Sequence, residues 1–256
     1  MSQSGVPFVA AWPRPRFEPT DAQAQVFLIA FSSGDRREDV GVLPGRHGLP
    51  SVEAWGLVET RRYGIDVVDY WRTGAFGIVA AEELPTMDQL SAARFCFTIS
   101  CEVPDQADLA YLQACWTAAR WLIDSGCTTV VDVHGARWHD GAAVMAWPAD
   151  RPFDVNREVK VIIEEGDGRD NLVHTRGMIK FARPDVLVPQ QMTPSPFAAR
   201  TVRAIGQRLA EGEVMPLNTV VRIDGIPRFR AFAYEPDVNA PQVNLNNDGL
   251  LLLPDD

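Results

Sequence analysis

Histidine is scarce in this chain, with four residues in 256. That leaves little material for a metal centre built from several imidazoles. Cysteine is equally scarce: Cys96, Cys101, Cys115 and Cys127. None forms a C-x-x-C pair, so the closely spaced ligand pairs of a four-cysteine zinc site are missing. All four lie in or beside segments with the pattern of core elements, which predicts buried, reduced thiols as in a cytosolic protein. Long apolar runs are absent too. Runs such as "VFLIAF" (26–31) and "LLLL" (250–253) are short, whereas a membrane-spanning helix needs about 20 predominantly apolar residues. The first twenty residues hold no basic segment followed by an apolar run, so no secretory signal is predicted and the expected location is the cytoplasm. Basic charge is in deficit, with 24 Lys and Arg against 34 Asp and Glu and a formal net charge of -10. Such a surface disfavours nucleic acid and anionic membranes, which are bound by displacing counterions with positive charge. It suits a basic protein partner, or simply keeps the chain soluble.

Familiar catalytic motifs are missing as well. There is no G-x-S-x-G, no G-x-x-x-x-G-K-[ST], no H-E-x-x-H and no G-x-G-x-x-G. The acidic stretch "EEGDGRDN" (164–171) lacks the ligand spacing of a calcium loop and is explained as a hairpin turn. No cofactor and no metal are therefore expected.

What is present has globular composition, 46% hydrophobic and 23% charged, and a patterned order of elements. Residues 1–24, with Pro7, Pro13, Pro15 and Pro19, predict an extended arm on the surface of a single domain spanning 25–256. "QVFLIAF" (25–31) predicts a strand. Residues 33–50 predict a long loop. "SVEAWGLVETRRYG" (51–64) predicts a short helix opened by Ser51, and "IDVVDYWRTGAFGIVAAEE" (65–83) two strands joined near "RTG".

From residue 94 the periodicity sharpens. In "RFCFTISCEV", Phe95, Phe97, Ile99 and Cys101 alternate with Arg94, Cys96, Thr98, Ser100 and Glu102, as in a strand with one buried side. Over 105–125 the steps of three and four from Leu109 through Leu112, Trp116 and Ala119 to Ile123 predict a helix. Asp105 is expected to cap it, and Gly126 to close it. A strand is predicted at 128–134, with "AAVMAW" (142–147) pairing to it. Two more strands are predicted at 158–165 and 171–182. A helix over 193–212 should start at Ser195 and bury Phe197, Val202, Ile205 and Leu209. "NTVVRI" and "RFRAFAY" complete the pattern as a hairpin around "DGIP". The order implies an α+β fold: a mainly antiparallel sheet with helices packed on one face, a ferredoxin-like core and N-terminal strand additions.

The chemistry, if any, concentrates in "TVVDVHGARWHDG" (129–141). Strand alternation puts Val130, Asp132 and His134 on one face, and His139 and Asp140 follow in the turn. A metal bridging such residues, or an acid orienting a histidine, is one expectation. The polar end of an ordinary strand and its turn is the other. His174 and Arg176, two residues apart on a later strand, form a second candidate. An Arg beside a His can hold a carboxylate or phosphate, although a solvent-facing strand explains the pair equally.

The segments "LQACWTAARWLIDSGCTTVVDVHGARW" and "HTRGMIKFARPDVLV" resemble bacterial domain families of unknown function. They are loosely similar to suppressor-of-fused-type proteins found among toxin-immunity and regulatory genes. The resemblance covers roughly residues 94–190 and implies an α+β protein without an established active site. The expectation is a non-enzymatic interaction protein, immunity- or regulator-like, with an acidic surface and a partner protein that is basic. The alternative is a small-molecule hydrolase or metal-dependent enzyme centred on Asp132, His134, His139 and His174.

Overall fold

A computed structural model describes residues 8–34, 47–164, 172–190, 192–193, 195–235 and 245–255. Most of the long loop, the acidic turn from Glu165 onward and the Ser195 cap lie outside the described residues. The chain divides into two compact units. One comprises Met1–Pro13, Gln25–Val103 and Asp108–Phe153, the other Arg14–Ala24, Pro104–Ala107 and Asp154–Asp256. The α+β class and the predominance of antiparallel pairing hold. A ferredoxin-like core, however, would keep its strands in one sheet, and here the strands after residue 94 are shared between two.

The first unit is built from β1 (Gln23–Ser32), α1 (Val52–Gly56), β2 (Glu59–Tyr63), α2 (Ile65–Arg72), α3 (Gly74–Glu83), α4 (Asp88–Ser91), β3 (Phe95–Pro104), α5 (Ala110–Asp124), β4 (Thr129–Asp132), β5 (Arg137–Asp140) and α6 (Gly141–Met145). Its sheet runs β2-β3-β1-β4-β5. Alternation along the strands sorts the core into two faces. Ile29 and Phe31 of β1, Cys96 of β3, Val131 of β4 and Trp138 of β5 pack with Val68, Trp71, Phe76, Val79, Ala80 and Leu84 of the α2–α3 region. Residues 65–83 are thus two helices, not the expected two strands. Their β-branched residues imitate a strand, but the apolar positions fall at helical intervals along one side and bury against the sheet. The opposite face carries Val26, Leu28, Ala30, Ile99, Cys101 and Val130, all buried.

Helix α1 is capped by Ser51, whose Oγ accepts from the Ala54 N–H at 3.1 Å. It ends at Gly56 and not at Gly64, because Glu59–Tyr63 leave it to pair antiparallel with β3. Helix α5 begins at Ala110, where the Asp108 carboxylate accepts from the Ala110 N–H at 3.0 Å. The expected cap, Asp105, is engaged elsewhere. Leu109, Leu112, Trp116 and Ala119 are buried as the periodicity requires, and Ile123 at the end of the stripe is half-buried. Gly126 closes the helix with φ +118°, a left-handed conformation open to glycine. Residues 142–145 extend α6 and do not form the expected strand, since β5 already supplies the partner of β4. Asp140 caps α6 by accepting from the Ala143 N–H at 3.0 Å. Gly141 has no room for a side chain: a Cβ there would stand 2.6 Å from the Thr128 carbonyl oxygen.

The second unit contains α7 (Val155–Glu158), β6 (Lys160–Ile163), β7 (Leu172–Arg176), β8 (Asp185–Pro189), α8 (Ser195–Ala210), β9 (Val220–Val221), β10 (Phe229–Ala233) and β11 (Gly249–Pro254). Its sheet runs β6-β7-β8-β11-β10-β9. β8 and β11 pair in parallel, and α8 packs on β6, β7 and β8. The helix buries Ala198, Val202, Ile205 and Leu209, whereas Phe197 of the expected stripe is exposed. The strand expected to run through residue 182 stops at Arg176. Gly177, at φ +111°, turns the chain into a 3₁₀ turn over Met178–Phe181.

Charge is deeply buried in this unit. The Asp105 carboxylate accepts from Arg14 Nη1 at 2.5 Å and from Arg183 Nη1 at 2.6 Å. It also accepts from the Thr20 N–H and hydroxyl at 3.1 and 3.0 Å. The guanidinium groups are satisfied further by backbone carbonyls: Arg14 by Phe181 and Ala210, Arg183 by Glu18 and Gly212. Part of the proline-rich arm is therefore an interior element and not a surface strap, with Trp12 and Arg14 both buried.

Candidate functional site

The stretch 129–141 folds as the β4–β5 hairpin. Its acidic residues serve the backbone. Asp132 is fully buried, and its Oδ1 accepts from the Gly135 N–H at 3.0 Å, which organises the turn. Asp140 caps α6, as described. His139, paired with Val130 across the hairpin, stands among aromatic rings. The ring centroids of Trp116 and Trp147 lie 5.3 and 5.6 Å away, both edge-on. Among the described residues no group of three or more His, Cys, Asp and Glu side chains is arranged to hold a metal ion.

His174 and Arg176 sit on β7 of the other unit. His174 is buried, with Nδ1 at 2.9 Å from the Thr175 carbonyl oxygen and Nε2 at 3.3 Å from Glu164 Oε1. Asp185, at the start of β8, accepts from the Thr175 hydroxyl at 3.0 Å and the Met178 N–H at 3.3 Å. Burial pushes its carboxyl up to about 7, against the opposing pull of those two hydrogen bonds and of the Arg176 and Lys180 charges. The five residues singled out in the sequence thus fall into two sets: Asp132, His134 and His139 in the first unit, His174 and Arg176 in the second.

Of these, His134 lines a cavity of about 390 Å³ in the first unit. The wall is completed by Gln25, Val26 and Phe27 of β1, Leu57, Glu59 of β2, and Ser100, Cys101 and Glu102 of β3. Pairing explains how these residues meet. Glu59 lies opposite Ser100 in the β2–β3 ladder, and residues directly opposite share a face. Glu102, two residues beyond Ser100, points the same way. Helices α2–α4 cover the part of this face around Cys96 and Phe31, and the acidic part is left open. Glu59 and Glu102 are exposed, and Phe27 and Leu57 supply apolar surface beside them. Glu59 Oε2 accepts from Arg61 Nη2 at 3.2 Å, an exposed pair whose hold on the carboxylate is weak. Two carboxylates next to apolar wall fit the shape of an amine or guanidinium carried on an aliphatic stem.

No local sequence signal marks Glu59, Ser100 or Glu102 as parts of one site. Strand alternation puts Ser100 and Glu102 on one face, but the local pattern around Glu59 predicts a helix. Only the β2–β3 register brings the two carboxylates together.

Comparison with protein-family models, curated proteins and solved structures returns no match. Among the described residues no helix is long and apolar enough to cross a membrane.

Proposed function

We propose that this chain is a non-enzymatic interaction protein, immunity- or regulator-like, whose acidic cavity receives a lysine or arginine side chain of a basic protein partner. One observation carries the reading: Glu59 and Glu102 share one open sheet face and, with Phe27 and Leu57, line a cavity of about 390 Å³. That volume is within the ordinary range for recognition pockets, and a basic side chain would lay its stem on the apolar wall and its charge between the carboxylates. The net charge of -10 favours the same class of partner, by steering it and raising the association rate. The likeness of residues 94–190 to suppressor-of-fused-type proteins agrees with a regulatory or immunity role. The residues of the hydrolytic alternative fall in two sets, Asp132, His134 and His139 in the first unit and His174 in the second, and Asp132 serves the backbone of its turn.

An arginine-rich peptide titrated into isotopically labelled protein tests this. Amide shifts should centre on Gln25, Glu59, Ser100, Glu102 and His134, and should weaken at least tenfold in apparent affinity when Glu59→Gln and Glu102→Gln are combined. Shifts that ignore the cavity, or an affinity the double substitution leaves unchanged, would overturn the proposal.

A further inference from the structure

The two edges of the first unit's sheet are finished differently. β5 is packed by α3 and α6, and its Trp138 N–H donates to the Glu83 carboxylate of α3 at 2.6 Å. Cover of that kind protects an edge, whose outer row of N–H and C=O groups would otherwise accept another strand. At the opposite edge β2 pairs, among the described residues, with β3 alone. Helix α2 follows it directly but turns onto the sheet face, where Val68 and Trp71 pack. β2 itself stays in solvent, with the Glu59 side chain 68% and the Arg61 side chain 69% exposed.

The charges along this edge are ordered. Glu59 and Arg61 fall on the cavity face, and Thr60 and Arg62 on the other. Tyr63, next on the cavity face, is half-buried against the apolar cluster. Arg62 lies over the Phe95 ring, 4.2 Å from the centroid. A row of one sign would discriminate between strands only by net charge. Here an acid, a base and an aromatic ring follow one another at the two-residue period of a strand. A strand of matching pattern finds a partner at each step, and a mismatched one meets like charges.

We propose, on the reading that the cavity takes the partner's basic side chain, that the partner enters as an extended strand added antiparallel to β2. Residues directly opposite in such a pair stand about 5 Å apart at Cβ and share a face. A basic residue opposite Glu59 and an acidic residue opposite Arg61 replace the exposed pair that those two make with each other, a pair weak enough to give way. Antiparallel entry fixes the order. The residue facing Arg61 precedes the one facing Glu59, so the partner reads acidic–x–basic, with an apolar residue two positions earlier for Tyr63. The position two beyond the basic one falls on the same face, at the Leu57 end of the cavity, and a lysine there carries its charge on toward Glu102. Backbone pairing supplies affinity, and the alternate side chains supply the choice of partner. The antiparallel sense matches the β2–β3, β1–β4 and β4–β5 pairings of this sheet and is the more stable of the two per residue.

A blocked peptide, Val-Thr-Glu-Thr-Arg-Thr-Lys, is titrated into full-length, isotopically labelled protein, and amide hydrogen exchange is followed with and without it. Alternate amides of Glu59–Tyr63 should slow on binding, since only every second residue faces the new strand, and chemical shifts should change at Ser100 and Glu102. Methylating alternate backbone nitrogens of the peptide removes N–H donors and keeps every side-chain charge. One of the two alternating sets should lose roughly tenfold or more in affinity, and the other far less. Interchanging Glu and Arg in the peptide should cost a similar factor, because like charges then stand opposite each other. Arg61→Glu protein should reverse the preference at that position and favour the peptide with Lys in place of Glu. Arg61 is exposed, so that variant should keep its fold. Shifts at the cavity with unchanged exchange along β2, or equal affinity of the two methylated sets, would overturn strand addition and leave the cavity reading standing. If neither this peptide nor the arginine-rich one moved the cavity resonances, both readings would fall.

Discussion

The acidic cavity of the first unit and the ion cluster of the second use carboxylates in opposite ways. Glu59 and Glu102 stand in the open, Glu59 in an exposed ion pair with Arg61. Asp105 is enclosed between two buried guanidinium groups, its side chain 1% exposed. Glu158 is enclosed with Lys180 at 3.4 Å. Removing charges from water costs several kcal/mol each, and only close pairing with full hydrogen bonding offsets it. The buried set therefore specifies how Arg14–Ala24, Pro104–Ala107 and the strands of the second unit come together. The exposed set adds almost nothing to folding, which leaves its charge available to another molecule. Charge in one region organises the chain, and in the other it is presented outward.

The sharpest way to break this contrast is to truncate one member of each set. Asp105→Ala leaves Arg14 and Arg183 buried without their shared carboxylate and is expected to cost about 3–5 kcal/mol in urea unfolding. A loss near 0.5 kcal/mol would place Asp105 with the surface charges and dissolve the distinction. Trp116→Ala probes the packing of the first unit by itself. The ring is buried and meets Trp147 at 5.2 Å, so ~3 kcal/mol or more should be lost. A loss under about 1 kcal/mol would mean that α5 is held by something other than this ring.

A buried acid whose charge is not fully compensated lies between these extremes. Asp185 is raised from the ordinary carboxylate range to about 7. The native state then holds a proton on Asp185 that the unfolded chain has released. Its contribution to stability is complete below about pH 4, where both states are protonated, and is lost as pH rises through 7. Between pH 5 and 8 the loss should be about 2–3 kcal/mol, from the ~1.4 kcal/mol that accompanies each pKa unit. Asp185→Asn removes the titration while keeping an oxygen for Thr175 and Met178. The difference in stability between wild type and variant, followed from pH 5 to 8, should change by that amount in the variant's favour. A difference that stays level with pH would show that Asp185 is ionised throughout.

How far the sequence discloses this arrangement depends on the range of the interactions. Helices α5 and α8 and strand β3 are legible because their patterns are local: the 3–4 spacing of Leu112, Trp116 and Ala119, and the alternation through Phe97, Ile99 and Cys101. Helices α2 and α3 mislead because "IDVVDY" is rich in β-branched residues, and burial against the sheet decides between helix and strand. Strands β8 and β11 escape notice because each is short and gains its place from a parallel partner distant in the chain. Asp105 has the sequence of a helix cap, and nothing local announces that Arg14 and Arg183 will surround it. The candidate site is the extreme case. The histidine-bearing hairpin drew attention by composition, and its acids proved to be turn and cap residues. Glu59 and Glu102 are unremarkable glutamates until the β2–β3 register sets them side by side.

The smallest expected effect on folding is also the test that most sharpens the contrast. Glu59→Gln with Glu102→Gln should change stability by no more than about 0.5 kcal/mol, because both side chains are exposed and the ion pair of Glu59 with Arg61 is itself exposed. Binding should respond differently. A basic partner is steered by charge over a screening length of about 8 Å at physiological salt, so the neutralised protein should associate more slowly and lose most of the salt dependence of its association rate. Its dissociation rate should rise as well, since a cation seated between the carboxylates loses its direct contacts. Neutralising exposed acids outside the cavity, such as Asp66 with Asp88, should slow association modestly and leave dissociation unchanged. Stopped-flow measurements on the two double variants across a range of salt separate the possibilities. Equal effects from both pairs would mean that only net charge matters and that the cavity holds no cation, while a slower on-rate together with a faster off-rate confined to Glu59 and Glu102 identifies the cavity as the place where the partner's positive charge comes to rest.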